Sequence, residues 1–148
     1  MINAQVGKDV ILIPSVAITS AQTQTANLDC RNADYATIRI NIGARKNSSA
    51  VGPTIQLSES DDTVVTNFAT WNSNFTLTAT SVNATSKEVV YHVDLRKRKK
   101  YIRLTFNTGT ATNDDLTLGA VATLTRLAAT PASTSDMVNT TNDAVVIG

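Results

Sequence analysis

The amino-acid sequence predicts an all-β protein, an antiparallel two-sheet sandwich of about eight strands with a jelly-roll-like arrangement. Short segments in which apolar and polar residues alternate recur along the chain, and this alternation is the period of a half-buried strand. No segment of any length has the helical period. Only 17% of the 148 residues are charged, whereas Thr, Val, Asn and Ser, which favour pleated surfaces or turns, are abundant. A chain of this length is expected to form one domain with a real core.

The predicted strands differ in how clearly they alternate. The clearest lies at 36–42, where Ile38, Ile40 and Ile42 point to one face and the residues between them point to the other. The first strand is expected to end at Pro14, because proline lacks the N–H group that a strand donates. In chain order, the predicted strands are 10–13, 22–28, 36–42, 54–58, 75–80, 89–95, 101–106 and 116–127.

Two arms are predicted to flank the sandwich domain, which covers residues 10–128. Residues 1–9 show no periodicity and form the predicted N-terminal arm. Residues 129–148, the predicted C-terminal arm, are rich in Thr, Ser and Asn and end in an apolar tip. Such a tip could add to a neighbour's sheet edge or fill its groove. The residues of this tip, predicted to contact a partner, are Val145, Val146 and Ile147.

A run of basic residues separates the predicted strands 89–95 and 101–106, which we expect to pair as a hairpin. The run holds five of the 13 basic residues, although the whole chain carries a net charge of only +1. It is open to three interpretations: a solvated hairpin end, a docking patch for an acidic protein surface, or a contact with nucleic acid. Aromatic residues for base stacking are scarce nearby, so direct nucleic-acid contact is not expected. The residues of the run, predicted as partner contacts, are Arg96, Lys97, Arg98, Lys99 and Lys100.

Residues that could carry catalysis are scarce. The chain has one histidine, His92, and one cysteine, Cys30, which leaves little for a catalytic triad, a His-rich metal site or a disulfide. The glycine spacing matches no phosphate-binding loop. The acidic clusters at 59–62 and 114–115 lack the spacing of a calcium loop and are typical of solvated turns. We therefore expect no enzymatic activity, no cofactor and no bound metal.

The sequence also gives no indication of a membrane or secretory role. No apolar run reaches the roughly 18 residues of a membrane span. Residues 1–9 lack the charged start and the long apolar middle of a signal peptide. We expect a soluble protein without a cleavable signal.

Three short segments resemble parts of known viral proteins. Residues 55–62 (IQLSESDD), with the Thr- and Phe-containing stretch after them, resemble the strand and Glu-Ser-Asp-Asp turn of small β-sandwich proteins from tailed-phage structural modules. Residues 99–104 (KKYIRL) resemble the strand that follows in those proteins, and residues 118–124 (LGAVATL) resemble their last, alanine-rich strand. The match runs from residue 35 to residue 127 in order and spacing. It departs at Thr63, where those proteins have a turn glycine.

The resemblance implies a bacteriophage capsid decoration (cement) protein with a jelly-roll fold. Proteins of that family sit on the outer surface of the capsid, often as trimers, and bridge neighbouring subunits. The implied partners are the major capsid protein and further copies of this chain, and the implied location is the virion. Such a protein needs buried interface area rather than an active site. The alternatives are another phage head, neck or tail component, or a receptor- or carbohydrate-binding jelly roll with an aromatic platform built from Tyr35, Trp71 and Tyr91.

Overall fold

The computed structural model describes residues 7–19, 21–45, 51–71, 75–77, 85–109, 116–126 and 143–147. These residues are almost entirely strands and short turns, and the two helical segments are single 3₁₀ turns at Val65–Asn67 and Leu95–Lys97. The strands are β1 (Lys8–Ile18), β2 (Thr23–Asp29), β3 (Tyr35–Ile42), β4 (Thr54–Ser60), β5 (Ala69–Thr70), β6 (Phe75–Thr76), β7 (Lys87–Asp94), β8 (Tyr101–Asn107), β9 (Leu116–Thr125) and β10 (Asp143–Ile147).

The strands form two sheets that face each other across one core. Sheet A has the order β1-β9-β3-β7-β10, and sheet B has the order β2-β8-β4-β5, with β6 also paired to β4. Apart from β10, which is parallel to β7, all neighbouring strands are antiparallel. Successive long strands alternate between the sheets, an arrangement that defines a jelly roll. The predicted antiparallel two-sheet sandwich is confirmed.

The core lies where the inward faces of the two sheets meet. The alternation predicted for β3 is confirmed, because Ile38, Ile40 and Ile42 are at most 1% exposed while Arg39 and Asn41 face solvent. Strand β9 is placed between β1 and β3 and presents two alanines, Ala120 and Ala122, and three leucines to the core. The other large side chains that are fully buried include Ile55, Leu57, Tyr91, Ile102, Leu104 and Phe106.

The predicted hairpin between residues 89 and 106 is wrong. Strand β7 lies in sheet A and pairs with β3, whereas β8 lies in sheet B between β2 and β4. The connection between them therefore crosses from one sheet to the other. The prediction failed because alternation reveals which face of a strand is buried but not which strand pairs with it.

The prediction that Pro14 ends the first strand is also wrong. Strand β1 continues to Ile18, with register shifts between Ile11 and Ile13 and between Ile13 and Val16. Because β1 is at the edge of sheet A and Pro14 lies within the second register shift, the strand can continue without the backbone N–H that proline lacks. Proline is tolerated at edge strands and at bulges for this reason.

Parts of the predicted arms are described. Lys8 pairs with Leu124, so the last residues of the predicted N-terminal arm already belong to β1. At the other end of the chain, the backbone of β10 pairs with β7 of the same chain. Residues 1–6 and 127–142 lie outside the described residues, and the division into a domain and two arms stays a prediction.

Candidate docking surface

The basic run lies at one end of the sandwich, which we call the crossover end. Two connections between the sheets meet there, the β2–β3 connection (residues 30–34) and the β7–β8 connection (residues 95–100). They are joined by main-chain hydrogen bonds, because the Cys30 N–H donates to the Lys100 carbonyl (2.8 Å) and the Leu95 N–H donates to the Asp34 carbonyl (2.9 Å). The basic run is thus fixed to a neighbouring turn rather than projecting from a free hairpin.

An Asp-x-Arg turn begins the β7–β8 connection. The Asp94 carboxylate accepts the backbone N–H of Arg96 (3.1 Å) and also two hydrogen bonds from its guanidinium, at 2.9 Å from Nε and 2.5 Å from Nη2. The hydrogen bond from the Arg96 side chain is the main reason why the pKa of Asp94 falls to about 2. Leu95, between the two, is only 6% exposed and closes the core.

The same turn begins the β2–β3 connection. The Asp29 carboxylate accepts the backbone N–H of Arg31 (3.1 Å), and its guanidinium donates from Nε and Nη2, the latter at 2.6 Å. This hydrogen bond from Arg31 lowers the pKa of Asp29. Cys30 takes the place that Leu95 has in the other turn, and its burial raises the pKa of its thiol to about 12. Sequence analysis missed this repeated turn.

Arg98 also has a structural role. Its guanidinium lies 3.8 Å from the Glu59 carboxylate and 5.1 Å from the centre of the Trp71 ring, and its side chain is 18% exposed. The backbone N–H of Lys99 donates to the other Glu59 carboxylate oxygen (3.3 Å). A half-buried arginine held between a carboxylate and an aromatic face stabilises the loop that carries it. Arg98 therefore ties the β7–β8 connection to the end of β4.

The remaining cations of the run form what we call the lysine patch: Lys97, Lys99 and Lys100. All three side chains are exposed, and none forms an ion pair with a described residue. Two carboxylates are nevertheless close enough for the lysine charges to lower their pKa values. The charge of Lys97 adds a minor contribution to the lowered pKa of Asp94, and that of Lys99 does so for Asp62. The structure thus divides the predicted contact run into two structural arginines and three outward-facing lysines.

Two exposed valines lie beyond the acidic turn that follows β4. Val64 is 53% exposed and Val65 is 69% exposed. Asp62 fixes this turn by accepting hydrogen bonds from the Val64 N–H (2.9 Å) and from the Asn67 side-chain amide (2.8 Å). Exposed apolar residues beside charged ones are typical of a contact surface with a polar rim. Sequence analysis missed these valines, although two β-branched residues directly after an acidic turn are a visible signal.

The aromatic residues do not form an exposed platform among the described residues. Tyr91 is completely buried, and Tyr35 is 9% exposed and stacks on His92 at 6.2 Å. Trp71 lies under Arg98, as described above. Phe68 is covered in a similar way, because the guanidinium of Arg103 lies 3.9 Å from its ring centre. The platform that a carbohydrate-binding jelly roll would need is therefore not present in this part of the chain.

His92 lies on the outer face of sheet A, where it is partly buried. Its ring lies 3.4 Å from the Thr37 hydroxyl, measured from Nδ1 to Oγ1. Partial burial, and to a lesser extent the charge of Arg39, lowers its pKa. Within the described ranges, no three His, Cys, Asp or Glu side chains come together as a metal-binding group. No helix among the same residues has the length and apolar character needed to span a membrane.

The remaining predicted contacts are at the end of the chain. Val145, Val146 and Ile147 belong to β10, whose backbone runs parallel to β7 from Asp143 opposite Val89 to Ile147 opposite Val93. This strand lies at the edge of sheet A and ends at the crossover end, because Ile147 pairs with Val93, two residues before the β7–β8 connection begins. The structure therefore places the last residue of β10 near the start of the connection that carries the basic run.

The fold and its surface define the class of the protein as a jelly-roll β-sandwich with a candidate docking surface. No protein-family model matches the chain, and no curated protein matches it in sequence. Solved structures do resemble it. The enzymatically active domain of tailspike protein 4 from bacteriophage CBA120 is 10% identical, with a TM-score of 0.51 over 81% of this chain and 18% of that chain.

Two further solved structures have lower TM-scores. Dimeric latent PorU from Porphyromonas gingivalis is 12% identical, with a TM-score of 0.47 over 82% of this chain and 13% of that chain. The coat protein of Tobacco streak virus is 12% identical, with a TM-score of 0.41 over 94% of this chain and 98% of that chain. The chain spans less than a fifth of the length of the tailspike and PorU chains. At these identities the tailspike similarity bears on the fold alone.

Proposed function

We propose that this protein is a non-enzymatic component of a virus particle, a bacteriophage capsid decoration (cement) protein. It binds the outer surface of the capsid as a homo-oligomer, with a trimer favoured, and bridges neighbouring subunits of the major capsid protein. The sequence resemblance of residues 55–62, 99–104 and 118–124 supports this class of protein. The jelly-roll fold is compatible with it.

One observation carries the docking part of the proposal: the three side chains of the lysine patch are exposed and form no ion pair with a described residue. The β2–β3 connection makes an equivalent crossing between the sheets with an Asp-x-Arg turn and without any lysine. Three exposed cations therefore provide a surface suited to an acidic partner. Val64 and Val65, exposed beyond the turn whose Asp62 pKa is lowered in part by Lys99, add an apolar part to this surface. Charge attraction of this kind speeds association and weakens as salt is added.

The test is a binding assay on particles of the virus that carries the gene, depleted of this protein. Replacing Lys97, Lys99 and Lys100 by glutamine should reduce attachment by at least tenfold and flatten its salt dependence. Replacing the same residues by arginine keeps the charge and should preserve attachment. As a distant control, Arg39→Gln with Lys87→Gln removes cations from the outer face and opposite end of sheet A.

The docking proposal is wrong if the glutamine variant attaches as tightly as the unchanged protein. The copy number per particle tests the wider assignment. A decoration protein should be present in hundreds of copies, whereas a neck or tail component would be present in a handful. Mass spectrometry of intact particles measures this number independently of the lysine variants.

A further inference from the structure

Strand β10 is held to the rest of the fold in an unusual way. It is the only described strand that pairs in parallel, and it contacts sheet A through β7 alone. A strand added to a sheet edge is bound mainly by backbone hydrogen bonds, which do not depend on which copy of the chain supplies it. Every copy of this protein therefore offers the same edge to the same strand.

Covalent geometry allows β10 to reach beyond its own β7. The 17 residues from 126 to 142 join β9 to β10, and a chain of this length spans at most about 60 Å. Within one copy, the gap crosses three strand spacings and five residues along the sheet, which amounts to roughly 20–25 Å. The connection is thus more than twice as long as pairing within the same copy requires.

The sandwich does not need β10 to close its core. Strand β7 is paired with β3 along its whole length, from Asp94 opposite Tyr35 to Lys87 opposite Ile42. Its inward residues Val89, Tyr91 and Val93 point into the core between the two sheets and are completely buried. Loss of β10 would uncover an edge of sheet A, and the two-sheet core would remain.

We propose that β10 is an exchangeable strand, which pairs with β7 of a neighbouring copy of this chain in the assembled oligomer. The inference rests on the proposed function in one respect, the side-by-side assembly of copies. The pairing residues are the same within and between copies. The equilibrium between β10 paired with its own β7 and β10 paired with a neighbour's β7 therefore depends on local concentration. Covalent linkage holds two segments of one copy at an effective concentration on the order of millimolar, and a neighbour fixed in an oligomer competes at that level.

Cysteine cross-linking between two differently tagged copies tests this proposal. One copy carries Ala144→Cys and the other carries Val90→Cys, two positions that are direct partners in the register, and both lack Cys30 (Cys30→Ala). The spacing of adjacent strands suits a disulfide. The two chains are produced together, oxidised mildly and separated on a non-reducing gel. Exchange predicts a covalent dimer that contains both tags.

Three controls make the result decisive. A chain with both cysteines should form the same disulfide and so verify the register. Ile11→Cys, on the far edge of sheet A and 70% exposed, replaces Val90→Cys as a measure of random collision. If Val90→Cys impairs folding, the partners Val146→Cys and His92→Cys provide a second pair from the same register.

The proposal is overturned if the double-cysteine chain cross-links only within itself and the mixed single variants form no more dimer than the Ile11 control. It is also overturned if neither arrangement cross-links. Particle binding by the unchanged protein is measured in parallel. Cross-linked dimers without particle binding would refute the capsid role but not the exchange, and particle binding without such dimers would refute the exchange alone.

Discussion

The two connections at the crossover end both carry the chain from one sheet to the other, and both begin with the same turn. Each follows a strand with an aspartate, a buried apolar residue and an arginine that binds back to the aspartate. The β2–β3 connection then needs only three more residues to reach the other sheet. The β7–β8 connection continues with four basic residues, of which only Arg98 has a described ion pair.

This difference separates residues that the fold requires from residues that it does not. Asp94, Leu95 and Arg96 have counterparts in the shorter connection, so their roles are structural. The lysine patch has no counterpart there. Charged residues that a turn does not use, and that remain exposed, are therefore the first place to look for contacts with a partner.

The largest expected effect comes from the buried residue at the centre of each turn. Leu95→Ala should lower the free energy of unfolding by about 2–4 kcal/mol, because it leaves a cavity in the core. Cys30→Ala removes a single sulfur atom and should cost about 1 kcal/mol. Urea unfolding followed by circular dichroism measures both. Equal losses for the two variants would contradict the view that the Leu95 side chain fills more of the core than the Cys30 side chain.

Removing the aspartate of each turn should have a smaller effect. Asp94→Ala should cost about 1 kcal/mol, the usual loss when a side chain that accepts a backbone N–H at the start of a helical turn is removed. Asp29→Ala should cost less, because the Asp29 side chain is 45% exposed and that of Asp94 is 28% exposed. Asp61→Ala, in an exposed turn, serves as the control. A loss at Asp61 as large as that at Asp94 would refute the structural role of the turn.

Acid should weaken the same turn in a defined range of pH. The pKa of Asp94 is about 2 in the folded protein, below its ordinary value of 3.8. The carboxylate therefore stabilises the fold fully above the ordinary pKa, and this stabilisation is lost as the pH falls from about 4 toward 2. The difference in unfolding free energy between the unchanged protein and Asp94→Asn should shrink over this range. A difference independent of pH would show that the charge of Asp94 contributes nothing.

The smallest expected effect on stability is that of the lysine patch. Replacing all three lysines by glutamine should change the free energy of unfolding by no more than about 0.5 kcal/mol, as is usual for exposed positions. Arg98→Gln should destabilise the protein more, because it leaves Glu59 and Trp71 without their half-buried partner. Thermal unfolding of the two variants side by side measures the contrast. A larger loss for the lysine variant would mean that the patch belongs to the fold.

The sequence predicts the faces of the strands better than their partners. The alternation in β3 and β9 identifies the buried residues correctly because burial of alternate side chains is a local property of a strand. The pairing of β7 and β8 was predicted wrongly because it depends on the whole topology. Similarly, the pattern of an apolar residue, Asp, an apolar residue and Arg occurs at both 28–31 and 93–96, but only the structure shows that the two copies meet.

The sequence predicts the candidate surface as one run of five basic residues and does not separate its two structural arginines from its three lysines. The sequence identifies five adjacent basic residues, and nothing in their order distinguishes Arg96 and Arg98 from the lysines between and beside them. The distinction arises from Asp94, two residues earlier, and from Glu59, which lies far away in the sequence but next to Arg98 in the structure. Long-range ion pairs of this kind cannot be read from local patterns.

The two edges of sheet A differ in a way that bears on how copies could assemble. At the β1 edge, Pro14 and two register shifts interrupt the regular row of backbone donors and acceptors. Interrupted edges are poor templates for a further strand. Further strands are therefore expected at the β7 side of sheet A alone. An exchange in which each copy gives β10 to the next is a head-to-tail contact, which closes into a ring only when the rotation between neighbouring copies allows it.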